Sequence, residues 1–135
     1  MFEHFVTAQA PVYAQVLAEL GAGRKRSHWM WFIFPQLRSL GRSETAWRFG
    51  LADVEEARAY AAHPVLGARL RECVALANAI TGANANQVFG SPDDLKFRSC
   101  VTLFLAATGE ALFQAALDRF YHGEGDALTL EALGA

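Results

Sequence analysis

Residues 24–37 read Arg24-Lys25-Arg26-Ser27-His28-Trp29-Met30-Trp31-Phe32-Ile33-Phe34-Pro35-Gln36-Leu37. Three cations run into a hydroxyl, an imidazole and the densest aromatic stretch of the chain. Wound at about 3.6 residues per turn, His28 to Phe34 shows aromatic or aliphatic groups on every side, so the segment is either central or a pocket wall. Ser27 is placed to cap it, and it must stop before Pro35, because proline disfavours helical geometry in the residue ahead. The cations stand at the wrong end of such a helix, whose N-terminus already carries partial positive charge. An anion there resolves the conflict, held by the free N–H groups of the first turn, the Ser27 hydroxyl and Lys25 or Arg26. The competing reading makes the cations solvated turn residues, Ser27 an ordinary cap, and Trp29, Met30, Trp31, Phe32 and Phe34 core.

Working outward, the rest of the chain reads as one all-α domain over residues 1–135, an array of about seven or eight short helices. Its 135 residues suffice for a real core, and 53% hydrophobic against 19% charged residues is a globular composition. Gly and Pro punctuate it at helix-length intervals, with no repeat or linker. Helices are expected from Pro11 to Leu20, from Ser27 to before Pro35, and from Asp53 with Glu56 to Ala61. Others should run from Pro64 to Ile80, Asn84 to Phe89, Pro92 to Ala107 and Glu110 to Tyr121, with turns starting at Ser43 and Asp126. The uncharged aromatic stretch Ser27 to Leu37 is too short to span a bilayer, and no signal peptide opens the chain, so a cytoplasmic protein without membrane contact is expected. Cys73 and Cys100 lack ligand spacing and read as reduced core thiols, so neither a metal nor any other cofactor is expected.

Charge is asymmetric beneath a net value of −2. Leu20 to Ser43 holds five cations and no carboxylate, whereas the segment from Glu110 onward is acidic apart from Arg119. The overall balance argues against nucleic-acid coating but allows one local anion site. His28 is the candidate acid or base, since its pKa lies near neutrality, although a histidine beside aromatics is more often a core residue. His63, ahead of Pro64, suits a helix boundary or a groove. In the Pro92–Ala107 helix, apolar over most of its circumference, Lys96 needs a carboxylate or a ligand anion. Asp93, three residues earlier, is the local partner. Ser99 and Thr102 share its narrow polar arc, where backbone bonding is the simpler account. Signatures of nucleotide-binding loops, nucleophile elbows and zinc proteases are missing.

Three segments carry a family resemblance: Gly23 to Leu37, His63-Pro64-Val65-Leu66-Gly67-Ala68-Arg69-Leu70, and Val88-Phe89-Gly90 through Asp93, Lys96, Ser99 and Thr102-Leu103-Phe104. The chain resembles the bacterial domain-of-unknown-function family 1810, sometimes labelled calpastatin-like, over nearly its whole length. The resemblance implies a small, single-domain helical protein and brings no established activity. None of the repeated inhibitor segments of a calpastatin is present. Cys100 departs from the family pattern, which has a second serine after Ser99. The motif residues that the resemblance singles out are Lys25, Ser27, His28, Trp29, Trp31, Gln36, His63, Arg69, Asp93, Lys96 and Ser99.

Together these readings lead to a domain binding a small anionic ligand, nucleotide-like or phosphorylated, in a pocket walled by Trp29 and Trp31 and neutralised by Lys25, Arg26 and Lys96. His28 is then the one candidate proton carrier. The rival is an interaction module whose basic loop and acidic C-terminal region recognise a protein partner or a second copy.

Overall fold

The computed structural model describes residues 1–134. Among them every regular element is helical: α1 (Glu3–Gln9), α2 (Tyr13–Gly21), α3 (Met30–Ile33), a 3-10 turn at Arg38–Leu40, α4 (Glu44–Arg48), α5 (Val54–Ala62), α6 (Leu66–Asn78), α7 (Ala85–Phe89), α8 (Asp93–Thr108), α9 (Ala111–Tyr121) and α10 (Ala127–Ala132). The only extended pairing among the described residues is an isolated parallel bridge between Leu37 and Leu51, which ties the segment after α3 to the one after α4. Among the described residues no helix is long and apolar enough to cross a membrane.

The array is built around α8. Its Phe97, Cys100, Val101, Leu103 and Phe104 are all inaccessible to solvent, as the nearly continuous apolar circumference requires. Helices α5 and α9 flank it, α7 and α10 close two further sides, and α3 abuts it. Phe89 of α7 stacks on Phe97 at 4.5 Å between ring centroids, and Phe34, just past α3, meets Phe97 edge-on at 4.8 Å. The aromatic run is therefore core at Trp29, Ile33 and Phe34, and half-exposed at Trp31 and Phe32.

Four helix starts follow their local signals. Ser43, Asp53, Asn84 and Asp126 each accept a backbone N–H three residues on, and Asn84 with Gln87 completes a capping box. Helix α1 adds to the expected set: Phe2, Phe5, Val6 and Gln9 recur at helical spacing, and Phe2, Phe5 and Gln9 are buried. Two expectations need correction. Pro11 lies in the turn before α2, not in its first turn. Ser27 does not cap α3: that helix begins at Met30 behind Trp29, with no side-chain cap.

His63 makes the joint between α5 and α6. Its Nδ1 accepts the backbone N–H groups of Val65 and Leu66, both at 3.2 Å, so the imidazole serves as the missing cap of α6. The same joint brings Gly67 against α5: a Cβ there would lie 2.2 Å from the Ala61 carbonyl oxygen. That carbonyl cannot step aside, because Arg71 Nη1 donates to it at 2.9 Å while the same guanidinium forms a fork with Glu110. Gly67→Ala should therefore separate α5 from α6 and lower stability by about 2–3 kcal/mol, as overpacking does. Urea unfolding would read this, and a midpoint equal to that of the parent protein would contradict the tight joint.

Candidate functional site

The loop between α2 and α3 is organised by one carboxylate that sequence reasoning passed over. Glu19, only 7% exposed, accepts four hydrogen bonds from the basic-aromatic segment. The Arg26 N–H (2.7 Å), Ser27 N–H (3.1 Å) and Trp29 indole N–H (2.9 Å) donate to Oε1, and the Ser27 hydroxyl donates to Oε2 at 2.5 Å. Burial by itself pushes this carboxyl up. Hydrogen bonds from the Ser27 hydroxyl, the Arg26 N–H, the Trp29 indole and the Ser27 N–H more than offset that and hold it at about 2. The anion that the sequence demanded at Ser27 is thus supplied by the chain itself.

Pinned in this way, the loop turns the Lys25 side chain inward. Its backbone N–H donates to the Val88 carbonyl (2.7 Å), and its ammonium group donates to the Ser27 carbonyl (2.6 Å) and pairs with Asp93 Oδ2 at 2.9 Å. From the first turn of α8, Lys96 approaches the other oxygen of Asp93 at 3.8 Å and sits 3.4 Å above the centre of the Trp31 ring. Lys25, His28, Met30, Trp31, Asp93 and Lys96 line one cleft of about 200 Å³. Burial is the largest influence on Lys96 and pulls its ammonium pKa down. Asp93 opposes this and Lys25 reinforces it. Two ammonium groups share one carboxylate, which leaves the cleft one positive charge in excess.

Lys25 and Lys96 are also the only lysines in the chain. They lie 71 positions apart in sequence and meet on the same aspartate. The local pairing of Asp93 with Lys96 was expected, whereas the closer contact from Lys25 was not.

The remaining expected site residues lie elsewhere. Trp29 is 1% exposed and faces Glu19 and Phe34, so it walls no cleft. The Arg26 side chain points to solvent, and the Ser27 hydroxyl is committed to Glu19. Gln36 contributes its backbone carbonyl to Leu51. His63 caps α6, at a shallow cavity formed with Met1, Phe2 and Val65. Arg69 stacks over Tyr13 and donates to the buried Gln9. Ser99 is buried and returns its hydroxyl to the Leu95 carbonyl, as backbone bonding within a helix predicts. The His28 ring is exposed, with no hydrogen-bonding partner among the described residues to orient it.

The family model described as a protein of unknown function (DUF1810) matches residues 1–133. The chain belongs to the DUF1810 family. Its fold is shared by the conserved hypothetical protein Rv1873 from Mycobacterium tuberculosis, whose crystal structure is 51% identical in sequence with a TM-score of 0.96, covering 98% of this chain and 96% of that one. No curated protein matches. This DUF1810 chain is all-α over its described residues.

For this DUF1810 member two further features bear on its chemistry. Among the described residues no group of three or more His, Cys, Asp and Glu side chains could hold a metal ion. Both cysteines are free and buried, and burial pushes the Cys73 thiol up to about 12, which leaves it a poor nucleophile.

The buried carboxylate has a readable consequence. Glu19 has a folded pKa below its ordinary value of 4.5, so its contribution to stability is complete above that value and is lost as pH falls toward 2. The size is on the order of 3 kcal/mol. Glu19→Gln should be less stable than the parent by about that amount at neutral pH, and the gap should narrow as acid is added. Denaturant unfolding of both proteins across the acid range checks this, and a gap independent of pH would contradict it.

Proposed function

We propose that this protein binds a small oxyanion, a phosphorylated or carboxylated metabolite, in the cleft between the α2–α3 loop and the start of α8. One observation carries the reading: both lysines of the chain meet in that cleft on a single aspartate, leaving excess positive charge within reach of solvent. An arriving anion gains the two ammonium groups as charge-assisted donors, and the low-dielectric wall of Trp31 and Met30 strengthens the attraction. A volume of about 200 Å³ suits the anionic end of a metabolite and not a whole nucleotide. Lys96 also covers one face of Trp31, the face on which a base would have stacked. The ligand class narrows accordingly from nucleotide-like to a compact acid. Proton-transfer catalysis by His28 gains no support, because nothing orients the imidazole as an acid–base group requires.

A second reading keeps one observation in its favour. The Arg24 and Arg26 side chains are exposed and form no ion pair among the described residues, which leaves two cations free for an acidic protein surface. Reversing both to glutamate should then abolish capture of a partner without unfolding the chain.

For the leading reading, isothermal calorimetry with inorganic phosphate and a panel of small phosphorylated and carboxylated acids is the direct test. Measurable heat is expected, with affinity falling about tenfold or more in Lys96→Met, which removes the charge and keeps the stem. The same affinity in the variant, or no heat with any acid at millimolar concentration, would defeat the proposal.

A further inference from the structure

The Lys25–Asp93–Lys96 cluster has a composition that simple anion binding does not require. All ten other side-chain cations of the chain are arginines, which suit oxyanions better than lysine does and never give up their proton. Lysine is the cation whose amine becomes a nucleophile once neutral. In this cleft the two lysines play unequal parts. Lys25 is 7% exposed and takes the aspartate at 2.9 Å along with the Ser27 carbonyl, so its side chain is held in place. Lys96 is left with the longer 3.8 Å contact, lies against the Trp31 face and keeps 20% of its side chain open to the cleft.

The groups facing Lys96 pull in both directions. Asp93, from its own helix, and the Trp31 ring, from α3, favour the ammonium form; burial and the Lys25 charge, from the loop, favour the amine, and burial is the largest of these influences on its pKa, with a net downward shift. His28, from the same loop, lines the cleft and adds no negative charge.

Building on the anion-binding reading, we propose that Lys96 is a carbonyl-reactive lysine and that the ligand is a small oxo acid, an aldehyde or ketone whose carboxylate or phosphate is held by Lys25. In the step itself the Nζ lone pair forms a C–N bond to the carbonyl carbon, and the C=O π pair moves to oxygen, which takes a proton. The hydroxyl then departs as water while nitrogen loses its remaining protons to give the imine. The water carries away the two hydrogens that the amine surrenders, so no oxidant or reductant enters. The departing hydroxyl takes its proton from solvent, to which the cleft is open.

The test uses the full chain with glyoxylate as probe, borohydride to trap any imine, and peptide mapping to locate the adduct. Met1 supplies an internal reference, since its amino group is exposed and also reacts with aldehydes. Lys96 should be labelled about tenfold or more above both Met1 and Lys25, and inorganic phosphate should protect it by competing for Lys25. Labelling of Lys96 no greater than of Met1 would overturn the proposal even where phosphate binds by calorimetry, so the two readings fail separately. Selective labelling that phosphate leaves unchanged, or that the uncharged aldehyde propanal reproduces equally, would overturn the assignment of an acidic carbonyl ligand. Lys96→Met, checked for native helicity by circular dichroism, should lose the adduct while Met1 labelling persists.

Discussion

A single buried carboxylate sets the path of the chain where it matters most. Taking Glu19 out of water is tolerable because four donors from Arg26, Ser27 and Trp29, joined by the Gln15 amide, surround it. The arrangement fixes a loop that carries three consecutive cations, anchors the buried indole of Trp29, and ties α2 to the entrance of α3. With the loop fixed, Lys25 cannot extend into solvent. Its backbone is held on Val88 before α7 ends, and its ammonium group is delivered to the first turn of α8. The cleft is therefore a consequence of the Glu19 contacts rather than a separate feature.

The second element of the arrangement is α8, which is apolar almost all round yet opens on Asp93, Asp94 and Lys96. Acids at a helix start answer the dipole, so Asp93 has a reason to be there before any lysine is considered. That placement leaves one carboxylate at the junction of α8, the α2–α3 loop and α3, where two lysines reach it and Trp31 closes the side. Met30 and Trp31 act at the same point: Met30 seals the cleft toward the core while Trp31 stays half-exposed.

What could be read in advance divides by the range of the interaction. Caps at Ser43, Asp53, Asn84 and Asp126 were legible because donor and acceptor are three residues apart and no distant group competes. Ser27 carries the same signal and fails, because a carboxylate eight positions upstream, already fixed on α2, outbids the local N–H groups. The missing information was close at hand. The acid-free stretch begins at Leu20, one position after the acid that answers it, and Glu19 is the sole carboxylate between Glu3 and Glu44. The pairing of Lys96 with Asp93 was legible as a helical spacing; the arrival of Lys25 depends on the loop and was not. His63, Arg69 and Ser99 drew attention as motif residues, yet each is occupied in holding helices together.

The division of labour between the two kinds of cation ties these points together. Arg38, Arg58, Arg71, Arg98 and Arg119 all donate to backbone carbonyls, and Arg119 reaches both Ile80 and Ala83 to close the end of α6. A planar fork of donors suits that task, since one guanidinium satisfies several carbonyls that a helix end leaves open. Lysine bridges no pair of helices in this way and appears only where two cations converge on one carboxylate, Lys25 reaching no carbonyl beyond that of Ser27 in its own loop. A guanidinium at either place would fill more of so small a cleft and would carry a permanent charge. The ammonium group is the more compact of the two, and burial lowers the pKa of Lys96. The stabilising cations of this fold are arginines, and the two that are not are the two that share a cavity.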